Sequence, residues 1–168
     1  ADVHVCEGLY SMDGDTPVFS ERQPALLVVD EAHAVGCVGP GGRGVAASQG
    51  VEPDVLIGTF SKAYGAAGAF VVASKEAKAL LVSSGRSFVY TTALAEAAAH
   101  AALCGFSLAS DALRERLSAN VRRFRAGVAQ LGLPSRGAHH IVPIVLGEKT
   151  MKVSHDLLQK GIFVPGIR

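Results

Sequence analysis

Residues 25–33 read Ala-Leu-Leu-Val-Val-Asp-Glu-Ala-His, an unbroken apolar run that follows Pro24 and stops at Asp30. A short apolar run closed by a turn signal suits a parallel strand buried on both faces. The first charged side chain therefore stands at the carboxyl end of the strand, where open α/β sheets gather their ligand-binding groups. Upstream, residues 3–6 predict a short strand leading into a loop rich in Gly and Asp (residues 8–15). Downstream, GCVGPGGRG (36–44) is a glycine-rich loop that cannot be helical. Residues 55–57 and 69–73 predict two further buried strands on either side of a turn at 58–65. A helix is expected from Lys75 to about Ser83, with Ser74 as its N-cap.

From Ala93 to about Leu131 the pattern is helical, Ala-rich to Leu108 and then amphipathic, with Leu113, Leu117, Val121, Phe124 and Val128 three or four residues apart. Arg114, Arg116, Arg122, Arg123 and Arg125 share that stretch. Glu115 is interleaved and no aromatic stacking platform accompanies them, so they predict a solvated face and no nucleic-acid partner. Beyond Gly132 and Pro134, a strand at 141–146, a helix at 151–160 and a strand at 162–164 predict a small α+β unit.

The 168 residues carry 16 Lys+Arg against 15 Asp+Glu, a formal net charge of +1, which points to no polyelectrolyte partner. Apolar residues make up 49% and charged residues 18%, enough burial for a globular chain rather than a disordered one. No apolar run reaches the roughly 18 residues a membrane span needs. The amino end has no basic segment and no initiator Met, so it is expected to be chain already under way rather than a signal peptide. Cys6, Cys37 and Cys104 are odd in number and widely spaced, which predicts no disulfide framework, no metal site and a cytoplasmic location.

Lys62 lies in GTFSKAYG (58–65), flanked by small and hydroxyl residues just past a predicted strand. Poor solvation there would ease deprotonation of its amine, and a neutral amine can form an imine with an aldehyde. The hydroxyls of Thr59 and Ser61 could bind a phosphate carried by that aldehyde, a description that fits pyridoxal 5′-phosphate (PLP). Asp30 could pair with a pyridinium N–H, and His33 could reach the ring oxygen beside the imine. Each residue alone has an ordinary reading: a loop lysine, a capping aspartate, a polar contact. Their order along one chain favours the chemical one. VVDEAH (28–33) also matches the metal-binding segment of DEAH-type helicases, in which Asp30 and Glu31 would hold Mg²⁺ and orient water. That reading requires a GxxxxGK[ST] phosphate loop, which the sequence lacks.

Four ordered motifs, EGLYSMDGD (7–15), LLVVDEAHAVGCVGPGGRG (26–44), GTFSKAYGAAGAF (58–70) and FVYTTAL (88–94), resemble the α-oxoamine synthase family of fold-type I PLP enzymes. The stretches FRAGVAQLGLP (124–134) and GIFVPGIR (161–168) most resemble the branch that makes 8-amino-7-oxononanoate in biotin biosynthesis. The resemblance implies an acyltransferase that condenses an amino acid, L-alanine, with an acyl thioester, pimeloyl-CoA or pimeloyl-ACP, and releases CO₂. It implies Lys62 as the lysine joined to the cofactor, Asp30 as partner of the ring nitrogen and His33 as partner of the ring oxygen. Thr59 and Ser61 are expected at the phosphate and Ser11 lining the cofactor. Thr91 and Thr92 are expected to reach the phosphate across a homodimer interface.

The implied fold is the large domain of these transferases, a mainly parallel sheet with helices on both faces, plus part of a small α+β domain. Residues 1–98 would belong to the former, 99–131 to a long connecting helix and 132–168 to an incomplete small domain. The sibling reactions are those of 2-amino-3-ketobutyrate CoA ligase, 5-aminolevulinate synthase and serine palmitoyltransferase. The family's N-terminal glycine-rich phosphate turn and ring-stacking histidine have no counterpart here, and the connection from 16 to 24 is too short for the family's helix. A partial chain is therefore expected, inactive on its own. A non-catalytic paralogue is disfavoured because Lys62, Asp30 and His33 are all retained.

Overall fold

In the computed structural model, which describes residues 3–19 and 25–167, Leu26–Asp30 forms the second strand (β2) of a four-stranded sheet. It lies between β1 (Val3–Glu7) and β3 (Val55–Thr59), and β4 (Ala69–Ala73) closes the order β1-β2-β3-β4. The first three strands are parallel, whereas β4 runs antiparallel to β3, with Gly58 opposite Phe70. Parallel pairing places the strand ends side by side: Glu7 is in register with Asp30, and Asp30 with Ile57. The short connection from 16 to 24 falls partly on residues 20–24, outside the described residues.

Strand pleating turns alternate residues to opposite faces. One face carries Cys6, Leu27 and Val29, covered by Phe19 and Val51. The other carries Val3 and Val5, 56% and 68% exposed. Burial of β2 therefore alternates rather than covering both faces, with Leu27 and Val29 buried and Leu26 exposed. β4 departs from the expected buried strand in the same way: it is an antiparallel edge, with Val71 and Val72 about half exposed. A second core of Leu9, Ala34, Val38 and Val45 lies under the turn that follows β2, and Phe19, Cys37 and Ile141 pack onto it.

The glycine-rich loop contains only a single 3₁₀ turn, Pro40–Gly42, before the short helix α1 (Val45–Ser48). Helix α2 (Lys75–Ser84) starts as expected, with Ser74 Oγ accepting from the Ala77 N–H. A short α3 (Arg86–Val89) follows. The expected long helix is two helices, α4 (Glu96–Leu108) and α5 (Asp111–Gln130). The break has a local cause: Ser110 is extended and its hydroxyl accepts from the Leu113 N–H, an N-cap that starts a new helix. Helix α6 (Thr150–Gln159) agrees with expectation.

The two predicted tail strands do not form. Residues 141–146 make only an isolated bridge, Ser135 to Ile144, where Pro143 removes a ladder donor. Residues 162–164 stay outside any ladder, with Phe163 79% exposed.

Two arginines predicted to be solvated are structural ties. The Arg114 guanidinium pairs with Asp111 at 2.7 Å and donates to the carbonyls of Ala109 and Gly36. Arg125 donates to the carbonyls of Arg136, Gly137 and His139, fastening the 136–139 loop to α5.

Helix α4 approaches the Lys62 turn closely at Gly105. A Cβ there would overlap the Tyr64 carbonyl oxygen, with the Tyr64 carbonyl carbon only 3.0 Å away. Gly105→Ala gains about 1 kcal/mol of helix propensity but forces two backbones apart, an overpacking cost of about 1–3 kcal/mol. The clash is with backbone rather than a flexible side chain, so we expect the substitution to lower Tm, measured by thermal unfolding of the variant beside the parent protein.

Candidate active site

The site is assembled where β1, β2 and β3 end. Asp30 closes β2, and its Oδ1 accepts from the Ala32 N–H at 2.8 Å. Its second oxygen has no hydrogen-bond partner among the described residues. His33 follows in a tight turn, half-buried, in which Ala34 and Val35 donate to the Glu31 carbonyl at 2.8 Å. Burial and the nearby Lys62 ammonium hold the His33 imidazole below its ordinary value of 6.5, with Glu7 and Asp30 pulling the other way. His33 is accordingly neutral at pH 7, able to donate from one ring nitrogen and accept at the other.

Thr59 ends β3 and is buried. Its hydroxyl donates to the Gly68 carbonyl at 3.0 Å and lies 2.8 Å from the Ser61 hydroxyl, and the Ser61 N–H donates back to it at 3.2 Å. Thr59 thus shapes the turn, while Ser61, on its exposed rim, has the more accessible hydroxyl. Lys62 is exposed, contrary to the poor solvation expected from its neighbours. The turn projects beyond the strand ends, and its buried anchor is Tyr64 instead.

Tyr64 packs against Phe60 and Phe106 with ring centroids 5.9 and 5.5 Å apart, and Phe60 against Phe70 at 4.9 Å. Where a Cβ would project from Gly36, the Ala63 Cβ is 2.7 Å away, so the His33 turn and the Lys62 turn are in direct contact. The φ of +81° at Gly36 adds a backbone reason for glycine there.

Ser11 is exposed in the loop after β1, and its backbone N–H donates to Glu7 Oε2 at 3.1 Å. Thr91 and Thr92 are exposed beyond α3, and the Thr91 hydroxyl donates to the Ser87 carbonyl. No hydrogen bond among the described residues ties these threonines to the strand ends. Glu31 is fully buried, its carboxylate accepting from the Val45 and Ala46 N–H groups at 3.0 and 2.7 Å. It therefore cannot orient a metal-bound water as the helicase reading requires.

Two members of the site escaped the sequence reading. Glu7 is brought beside Asp30 by strand register; its position at the end of an apolar run, like that of Asp30, was the available signal. His140 comes from far along the chain, and its half-buried ring lies beside His33. Nothing local in GAHHIVP (137–143) marks it.

Burial also depresses the basicity of His139, helped by Arg125, and of His140, helped by His139 and His33. An imidazole held below 6.5 in the folded state binds fewer protons there than in the unfolded chain. Unfolding then takes up protons as pH falls through 6.5, and the stabilisation present above that pH is lost toward the lower folded-state values. We expect Tm to decline between pH 7.5 and 5.5, and His140→Asn to flatten that slope, read by thermal unfolding across a pH series.

A family model described as aminotransferase class I and II matches residues 17–168. The 8-amino-7-oxononanoate synthase of Geotalea daltonii is 41% identical over 179 aligned positions, covering 98% of this chain and 46% of that protein. A serine palmitoyltransferase from S. paucimobilis, solved with a PLP–myriocin aldimine, superposes with a TM-score of 0.85 at 29% identity, covering 97% of this chain and 46% of that one. The 8-amino-7-oxononanoate synthase of Francisella tularensis superposes with a TM-score of 0.83 at 26% identity, covering 96% of this chain and 52% of the other. The chain thus spans about half the length of the relatives it matches. With parallel strand ends bearing Asp30 and Thr59 and a family match that runs through the lysine turn to the last residue, the chain belongs to the aminotransferase class I and II family.

Proposed function

We propose that this chain is the segment of a PLP-dependent acyltransferase that condenses L-alanine with a pimeloyl thioester, on CoA or acyl carrier protein, yielding 8-amino-7-oxononanoate, CO₂ and the free thiol. The observation that carries the reading is the strand-end cluster itself. Asp30 closes β2, His33 lies in the turn that follows it, and that turn touches the Lys62 turn, where the Ala63 Cβ is 2.7 Å from the place a Cβ would take on Gly36. Relatives bearing that enzyme's name at about 40% identity support the substrate assignment.

The residues present fit PLP. Asp30 keeps one carboxylate oxygen available for a ring N–H, and the exposed Ser61 hydroxyl, held by the buried Thr59, suits a phosphate. His33 would hold the ring oxygen and Ser11 would line the cofactor. When bound, PLP supplies an electron-withdrawing ring that stabilises negative charge on the α-carbon of the amino acid. The protein's part is position and proton control. The fixed Asp30 charge favours a protonated ring nitrogen, and neutral His33 can donate to the ring oxygen. The Lys62 amine would hold the cofactor and would serve as general base and acid for the α-proton of the amino acid.

In the whole protein we assign residues 1–98 to the large domain, 99–131 to the helical connection and 132–168 to the small domain. A homodimer would bring Thr91 and Thr92 to the partner's phosphate. A cytoplasmic location accords with three cysteines that are all free. Among the described residues no helix is long and apolar enough to cross a membrane.

The serine palmitoyltransferase likeness supports a second reading with another amino acid and acyl group. Assaying the full-length protein with L-alanine and pimeloyl-CoA beside L-serine and palmitoyl-CoA separates the two. We expect the first pair to be preferred by at least about 10²-fold in kcat/KM; the reverse preference would transfer the assignment to the sibling reaction.

A further inference from the structure

Glu31 is a fully buried carboxylate that the proposed chemistry does not use. A carboxylate is held in the interior only where its oxygens are bonded, and here both are. Oε1 accepts from the Ala46 N–H at 2.7 Å and Oε2 from the Val45 N–H at 3.0 Å, at the start of α1.

The side chain is boxed in by two glycines. A Cβ on Gly8 would overlap the carboxylate, and one on Gly44 would stand 2.7 Å from each of its oxygens. The backbone of the same residue is equally engaged. Its N–H donates to the Ile57 carbonyl of β3, its carbonyl accepts from Ala34 and Val35 of the His33 turn, and the Gly8 N–H donates to the neighbouring Asp30 carbonyl. Glu31 is therefore the junction at which the end of β1, the end of β3, the glycine-rich loop and α1 meet. Asp30 precedes it by one residue and His33 follows by two.

We propose that Glu31 is a positioning residue: by clamping α1 and the glycine-rich loop to the strand ends, it fixes where the Asp30 carboxylate and the His33 imidazole stand relative to Lys62. This inference rests on the PLP reading above. An isosteric amide would keep the shape but present an NH₂ to one of two backbone N–H groups, so Glu31→Gln should loosen the clamp without opening a cavity.

The test uses the full-length protein loaded with PLP. Glu31→Gln is compared with Val128→Ala, which removes buried volume from α5 away from the strand ends. We expect Glu31→Gln to weaken PLP binding about tenfold and to shift the pH midpoint of the visible absorbance band, while Val128→Ala lowers Tm and leaves both unchanged. A wild-type midpoint and PLP affinity in Glu31→Gln would overturn the proposal, as would equal shifts in Val128→Ala.

Amide hydrogen exchange on the unsubstituted protein provides a readout that survives misfolding of a variant. Because coupling is reciprocal, adding PLP to the apo form should slow exchange at Val45 and Ala46. Unchanged exchange at those amides on PLP binding would also overturn it. A wild-type protein with no PLP band at all would instead defeat the functional reading, and this inference with it.

Discussion

Lys62→Ala in the full-length protein is expected to abolish covalent retention of PLP and to reduce kcat by at least about 10³-fold. A positioned general base contributes about 10²–10⁴-fold, and the proposed mechanism gives Lys62 a second role as the amine that joins the cofactor. The turn at 58–70 contains no second lysine. The turn that carries Lys62 is held by the Phe60, Tyr64, Phe70 and Phe106 rings and by the close approach of Gly105, and it offers one amine at the strand ends. Lys62→Arg keeps the charge but not a deprotonatable amine, so it should be as inactive as the alanine variant. Stopped-flow or steady-state rates, with dialysis to follow retained PLP, check both. Activity within tenfold of the parent enzyme would remove Lys62 from its assigned role.

Asp30→Asn is the second large effect. The substitution keeps the size of the side chain and can preserve the acceptor for the Ala32 N–H, so the fold should survive. What disappears is the negative charge. Without it a ring nitrogen loses the partner that favours its protonation, and electron withdrawal from the α-carbon weakens. Removal of one preorganised electrostatic group typically costs about 10²–10³-fold in kcat. We therefore expect kcat to fall by that order, with Tm little changed, and the absorbance of bound PLP to report an altered ring protonation. If kcat is retained while Tm falls, Asp30 is a strand cap and nothing more.

Much of this was legible in the amino-acid order because the informative signals were local. The apolar run ending at Asp30, the Ser74 cap and the Gly-flanked Lys62 turn each occupy a few consecutive residues, and each formed close to where the pattern placed it. Most of what the sequence reading missed depends on partners distant in the chain, and one part on a single local cap. The 141–146 and 162–164 segments have strand composition, but a strand exists only when another strand pairs with it. The break between α4 and α5 turned on one hydroxyl at Ser110, within a window whose helical periodicity runs through both sides.

The candidate site divides the same way. Asp30, His33, Thr59, Ser61 and Lys62 were readable because they fall at ends of recognisable segments, and the structure draws them to one end of the sheet. Glu7 required the β1–β2 register, and His140 required the Arg125 clamp on the 136–139 loop, neither of which has a short-range signature. Arg114 and Arg125 looked like surface charges for a related reason, since their carbonyl partners lie on other loops or at the foot of a helix. Glu31 was assigned no role from the sequence, since the metal-binding match lacked its phosphate loop. Beside Asp30 it resembles a metal ligand, but the glycines at 8 and 44 leave room for its carboxylate only in the interior.

The most direct test is chemical trapping. The full-length protein, equilibrated with PLP, is treated with borohydride, digested and mapped by mass spectrometry. The account predicts a single pyridoxyl adduct on the peptide containing Lys62; an adduct on another lysine, or none, would contradict it.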